Sequence, residues 1–238
     1  MSALATSLNK RVQQGREELW DLVRDYLLSY AARTPVRKVC VVANAPLRPS
    51  ETRAAEIDSG DLVIRTNALM LDEPGGPACV GRVCHVAIVS PSTTLTPWVL
   101  HDYRRRGYLV PQAGWDFHPT RVLQQDPRMS APFWPADLGA LPLPNAILKQ
   151  RLGDLLAPQR RRGWIIPTTG TIAAFLAHEL FPDAELVATG YSFLDDATQT
   201  SWEHHSGGRT SVHWQHRLTH EADLLRSWID DGSLRMRS

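Results

Sequence analysis

Two short β-branched runs, each closed by an asparagine and separated by one helix's length of chain, constrain this protein most. Residues 38–44, KVCVVAN, and 61–67, DLVIRTN, are near-continuous apolar runs of the kind a sheet buries on both faces. Between them residues 50–59, SETRAAEIDS, read as a helix with Ser50 as its N-cap and Arg53 as its third residue. Parallel strands need a crossover of this length, so the segment is a βαβ unit and the fold class is α/β. A third strand is expected over 83–89, VCHVAIV, ending at Ser90, then a helix within 93–106 and a strand over 108–110. Further on, 169–180, TGTIAAFLAHEL, predicts a helix shortly after Pro167. Residues 184–190, AELVATG, predict a strand running into Tyr191, and 221–229, EADLLRSWI, a short amphipathic helix.

Ahead of the first strand, Val12, Leu19, Leu22, Val23, Tyr26, Leu27 and Tyr30 recur at helical spacing, which predicts an amphipathic helix over 8–30 that ends before Pro35. Residues 1–34 are therefore expected to form a helix on or beside a domain spanning 35–238. Its polar face mixes both charge signs, so packing on the core is the simpler use, with a membrane surface or a second copy as alternatives. From Pro111 to Pro144, about 111–145, the chain is rich in Pro, Trp and Phe without periodicity and reads as a long lid or acceptor loop. Basic triplets at 104–106 and 160–162 flank it and read as solvated faces.

At 238 residues the chain has the length of one elaborated domain. Twenty-six Lys and Arg against 25 Asp and Glu leave a net charge of +1, so no overall field argues for nucleic acid, and any anion must be met locally. Cys40, Cys79 and Cys84 form neither a disulfide framework nor a paired zinc spacing, which suits a reducing compartment. No run approaches 18 apolar residues and the N-terminus lacks a signal-peptide core, so the chain is expected to be neither membrane-spanning nor exported.

Three groups of residues carry chemistry. Asn44 and Asn67 stand at the carboxyl ends of two strands, where open α/β sheets hold ligands, although asparagine also serves there as a plain turn residue. Thr168, Thr169 and Gly170 open a helix whose unpaired amides can hold a phosphate. Neither GxxxxGK[ST] nor a GxGxxG after a strand occurs, so a nucleoside triphosphate loop and a dinucleotide site are disfavoured. Five of the nine histidines, His204, His205, His213, His216 and His220, fall within seventeen residues. Imidazole titrates near neutrality and suits a general base. A metal reading stands beside it, since His216 and His220 are four apart, though HRLTH lacks the glutamate of HExxH.

The order of these pieces resembles the sialyltransferases of the eukaryotic type, glycosyltransferase family 29. Residues 38–67 are similar to the large sialylmotif, with Asn44, Ile57, Asp58, Asp61, Arg65 and Asn67 in place. Residues 167–193, PTTGTIAAFLAHELFPDAELVATGYSF, look like the small motif, and His216-x4-Glu221 is similar to the very small one. The resemblance implies a single variant Rossmann-like (GT-A-like) domain, with a mostly parallel sheet flanked by helices. It would move a 2-keto-3-deoxy sugar, sialic acid or Kdo, from a CMP donor to a glycan or lipid-linked glycan hydroxyl, with inversion and with neither metal nor cofactor.

Carried over residue by residue, Asn44 and Asn67 would contact the phosphate region and Thr168, Thr169 and Gly170 would bind CMP. Ser90, Gly190 and Tyr191 would line the nucleotide pocket, His216 would be the base and Glu221 would orient its helix. Ala43-Asn44-Ala45 stands where the family has Gly-Asn-Ser, and the small motif lacks its cysteine, so Cys40 is expected to be a free, buried thiol. That suits a bacterial-type, cytoplasmic relative, soluble or peripheral on the inner membrane, of the kind that builds lipopolysaccharide or capsule. The family's third motif is not cleanly present, and His204, His205 or His213 can supply its histidine, as an acid or on the acceptor side. A histidine-based metal hydrolase and a non-catalytic nucleotide-sugar binding protein are the alternatives.

Overall fold

The computed structural model describes residues 3–90, 96–111, 135, 137–143, 145–156 and 166–238, with the backbone alone at 3–16, 145–147 and 149–150. Most of the aromatic-rich stretch (112–134, 136 and 144) and the basic triplet 160–162 lie outside the described residues.

A seven-stranded, wholly parallel sheet is the frame. Its strands are β1 (Lys38–Val42), β2 (Leu62–Thr66), β3 (Val86–Ile88), β4 (Gly107–Pro111), β5 (Ala140–Leu143), β6 (Glu185–Thr189) and β9 (Arg235–Arg237). They lie in the order β5-β4-β3-β2-β1-β6-β9. A separate antiparallel hairpin pairs β7 (Ser201–Glu203) with β8 (Arg209–Ser211). The helices are α1 (Ala3–Tyr30), α2 (Glu51–Asp58), α3 (Pro97–Leu100), α4 (Asn145–Leu156), α5 (Thr169–Leu180) and α6 (Leu218–Asp230).

Strand order reverses at β1, which has β2 on one side and β6 on the other. Chain leaving β1 through α2 builds the sheet one way, and chain returning through α5 builds it the other. The crevice at the carboxyl ends of β1 and β6 is thus the topological switch point, where sheets of this kind bind ligands. Helix α5 is buried from Thr171 to Ala177 without a break, as expected of a helix enclosed on all sides. In α1, Trp20, Val23 and Leu27 share a face and enter the same core, and the Tyr26 hydroxyl accepts from Tyr108 N at 2.6 Å. Truncating Leu27 to alanine would cost roughly 3 kcal/mol.

The acidic and basic residues of the first βαβ unit act as staples. Asp61 accepts from Arg37 N and Lys38 N, and Asp58 from Arg82 N and Val83 N. Arg65 is 1% exposed, its guanidinium donating to the carbonyls of Val83, Met70 and Val80. A buried cation without such acceptors would be prohibitively costly, so Arg65 and the loop it holds are mutually dependent. Cys40 is free and buried, and burial pushes its thiol up to about 12.

Several sequence expectations are corrected. The helix expected within 93–106 is broken: of the described residues there, only Pro97–Leu100 is α-helical, His101 is extended, and Asp102 takes a left-handed φ of 52° before a 3-10 turn at Tyr103–Arg105. Of the triplet expected to be solvated, Arg106 is buried and donates to Trp98 O at 2.8 Å. Residues 140–143, taken as part of the irregular loop, form edge strand β5, where Pro142 is tolerated because one side of the strand needs no ladder bonds. Helix α4, hairpin β7–β8 and strand β9 were not anticipated. In β9 alternating arginines conceal the strand pattern: Arg235 and Arg237 pair with Glu56, and Arg235 also with Glu185.

Candidate functional site

The site is built around the start of α5. Pro167 precedes the helix, and Thr168 is its N-cap, its hydroxyl accepting from Thr171 N at 3.2 Å. Thr168 N donates to Glu221 Oε2 at 2.9 Å, and the hydroxyls of Thr168 and Thr171 donate to the same oxygen at 2.7 and 2.5 Å. Glu221 is fully buried on α6. Its Oε1 has no partner among the described residues. Of the amides at the helix start, those of Thr168, Thr171 and Ile172 are thus engaged. Thr169 N and Gly170 N have no acceptor among the described residues and lie at the positive end of the helix dipole, an arrangement that can hold an anion.

Facing these amides are the carboxyl ends of β1 and β6. A side chain at Gly170 would meet Tyr191 at 3.2 Å and Ala43 at 3.5 Å. The Tyr191 hydroxyl donates to Gly170 O at 2.9 Å, and burial raises its pKa, so it stays protonated. Gly190 has φ of 79°, and a Cβ there would lie 2.6 Å from Ala43 O, so only glycine lets the two strand ends approach this closely. Asn67, at the end of neighbouring β2, also has a left-handed φ, of 45°. Its Oδ1 accepts from Ser90 N at 2.9 Å, which joins the ends of β2 and β3 and leaves the amide NH2 as a donor.

The histidines separate by what each one touches. His216 Nδ1 lies 2.6 Å from Ile166 O. A carbonyl only accepts, so Nδ1 carries a proton, and in the neutral tautomer this selects, Nε2 holds the lone pair. Ile166 N donates back to Gln215 O at 3.2 Å. Two hydrogen bonds therefore tie the His216 turn to the segment leading into Thr168, and Glu221 ties α6 to Thr168 itself.

His205 lies across the crevice. Its backbone N donates to Asn44 O at 2.6 Å, and its Nδ1 accepts from Leu47 N at 3.1 Å. The proton of the neutral ring is then on Nε2, and burial lowers the pKa of the ring. His204 stays within its hairpin, with Nε2 3.0 Å from Thr210 Oγ1. His213 is exposed and accepts from Gln215 N at 3.4 Å.

The pairing of His216 with His220 on one helix face is not realised. α6 begins at Leu218, His220 is exposed, and the inner nitrogen of His216 is held by Ile166. No group of three or more His, Cys, Asp or Glu side chains able to hold a metal ion occurs among the described residues, so a metal hydrolase has no ligand set there. Sequence reasoning missed Ile166 and Leu47, which act through backbone atoms. Thr171 belongs to the helix start that the sequence singles out, but its hydroxyl is spent on Glu221.

Among solved structures the chain is similar to a mammalian sialyltransferase, with a TM-score of 0.52 and 17% identity over 85% of this chain and 69% of that one. The fold is sialyltransferase-like. A mammalian sialyltransferase in complex with Gal-beta-1-3GalNAc-ortho-nitrophenol superposes with a TM-score of 0.50 and 18% identity over the same shares of the two chains. No family model and no curated protein matches the sequence. Among the described residues no helix is long and apolar enough to cross a membrane.

Proposed function

We propose that this chain is an inverting glycosyltransferase that moves a 2-keto-3-deoxy sugar, sialic acid or Kdo, from its CMP donor to a glycan hydroxyl. The observation that carries the reading is the junction of His216 with the start of α5. The His216 ring is hydrogen-bonded through Nδ1 to the segment that presents the open amides of Thr169 and Gly170. Base and anion site are thereby held in one fixed geometry at the switch point of a sialyltransferase-like fold.

In the reaction the bond between the anomeric carbon and the CMP phosphate oxygen breaks as the acceptor oxygen attacks from the opposite face. The acceptor proton passes to His216 Nε2. Charge that develops on the leaving phosphate is met by Thr169 N and Gly170 N, with the Thr169 hydroxyl beside them. His205, held beside Asn44 with its Nδ1 accepting from Leu47 N, would donate to that phosphate from Nε2. Asn44 and the NH2 of Asn67 hold the phosphate region, while Ser90, Gly190 and Tyr191 form the pocket wall. This scheme uses no metal.

The test is transfer itself. Purified protein is incubated with CMP-Kdo or CMP-sialic acid and glycan acceptors, and the anomeric configuration of any product is read by NMR. Product of inverted configuration supports the reading. Absence of both transfer and donor hydrolysis with either donor would leave only a nucleotide-sugar binding protein.

A further inference from the structure

One aromatic side chain near the site has no structural use. Trp214 is 75% exposed, the most exposed of the large apolar side chains among the described residues; the others, Leu22 and Leu155, lie on helices. It ends a row of rings, each set against the next. Tyr191 meets Phe193 edge-on at 5.8 Å, Phe193 meets Trp202 at 6.2 Å, and Trp202 meets His216 at 6.4 Å. His216 then meets His213 at 6.1 Å, and His213 lies 5.8 Å from Trp214 with a tilt of 32°. The buried end of the row is anchored beside α5, where Tyr191 donates to Gly170 O. The exposed end is two residues from the candidate base.

Tyr191 and Phe193 are explained by core packing, and Trp202 by its contact with Phe193. Trp214 is not, because its indole gives up most of the area it would otherwise bury. A pyranose has an apolar C–H face bordered by hydroxyls, and it suits an exposed indole set against the imidazole of His213, which in turn meets His216.

We infer that Trp214 is the acceptor platform, a positioning residue that stacks on the pyranose ring whose hydroxyl is to be glycosylated. The inference rests on the transferase reading for its purpose, but sugar stacking on Trp214 can be measured without any donor. Saturation-transfer difference NMR with methyl glycosides of galactose, glucose, mannose and Kdo is recorded for the wild type, Trp214→Ala and Trp214→Phe. At least one glycoside should receive saturation through its ring C–H protons in the wild type. Trp214→Ala should lose at least tenfold of that signal, and Trp214→Phe should keep half or more.

Stabilisation by CMP, measured on the same three proteins, should be equal in all of them. A signal unchanged in Trp214→Ala, or absent from the wild type with every glycoside, overturns the inference. Loss of the CMP response in the wild type, with stacking on Trp214 retained, overturns the transferase reading and leaves the platform standing.

Discussion

The buried carboxylate of Glu221 accepts from both the backbone N and the hydroxyl of Thr168, at 2.9 and 2.7 Å, across 53 residues of sequence. That one oxygen joins the helix that carries the candidate anion site to the helix that follows the candidate base.

Replacing Glu221 by alanine would leave the amide of Thr168 and one of the hydroxyls of Thr168 and Thr171 buried without an acceptor, since the two hydroxyls lie 2.9 Å apart and one can donate to the other. Each such group costs about 1–3 kcal/mol, so Glu221→Ala should lose roughly 3 kcal/mol or more in urea unfolding, with partial relaxation moderating the sum. Glu221→Gln keeps a carbonyl oxygen in place and should lose less than half as much. Equal losses in the two variants would show that packing, rather than the acceptor, matters at this position.

His216→Ala removes the proposed base and leaves the amides of α5 in place. Transfer should fall by about 10²- to 10⁴-fold, the usual range for a general base, while CMP affinity stays within several-fold. Steady-state kinetics and calorimetry on one preparation check both. Full turnover in the variant would remove His216 from the mechanism.

Gly190→Ala places a methyl group against Ala43 O at a backbone conformation that disfavours any side chain. The combined strain and clash should cost about 2 kcal/mol or more, read as a fall in the urea midpoint. Because the same contact closes the crevice, CMP binding should weaken as well. A variant as stable as the wild type would mean that the ends of β1 and β6 are not constrained as described.

Acid sensitivity follows from two half-buried rings. His85 Nδ1 accepts from Val63 N at 2.9 Å and His205 Nδ1 from Leu47 N at 3.1 Å, and burial lowers both pKa values below the ordinary 6.5. The unfolded chain therefore takes up these protons first as pH falls, and stability should decline from about pH 6.5 toward the lower folded-state values. His85→Gln should flatten the decline measured by urea unfolding between pH 7 and 5. An unchanged slope would assign the sensitivity elsewhere.

The parts legible in the sequence were those that local pattern specifies. β1, α2, β2, α5, β6 and α6 announce themselves through apolar runs, helical spacing and the caps Ser50 and Thr168. The elements missed lack such signals: β5 is interrupted by Pro142, and β9 alternates arginine around Met236 so that its pairing depends on Glu56 and Glu185 from distant chain. Within the site the positions of Asn44, Asn67 and Thr168 followed from strand and helix ends. The distinction among the histidines did not, because Ile166 O and Leu47 N are backbone atoms that every residue type carries.

The proposed binding of CMP at the start of α5 is tested most directly by thermal stability with CMP against UMP, GMP and AMP. A ligand at a hundred times its Kd stabilises by about 2.7 kcal/mol, which for a chain of this length is a clear rise in Tm. Selective stabilisation by CMP, unchanged by chelator, is the predicted result. No response to CMP, or an equal response to all four nucleotides, would contradict the account.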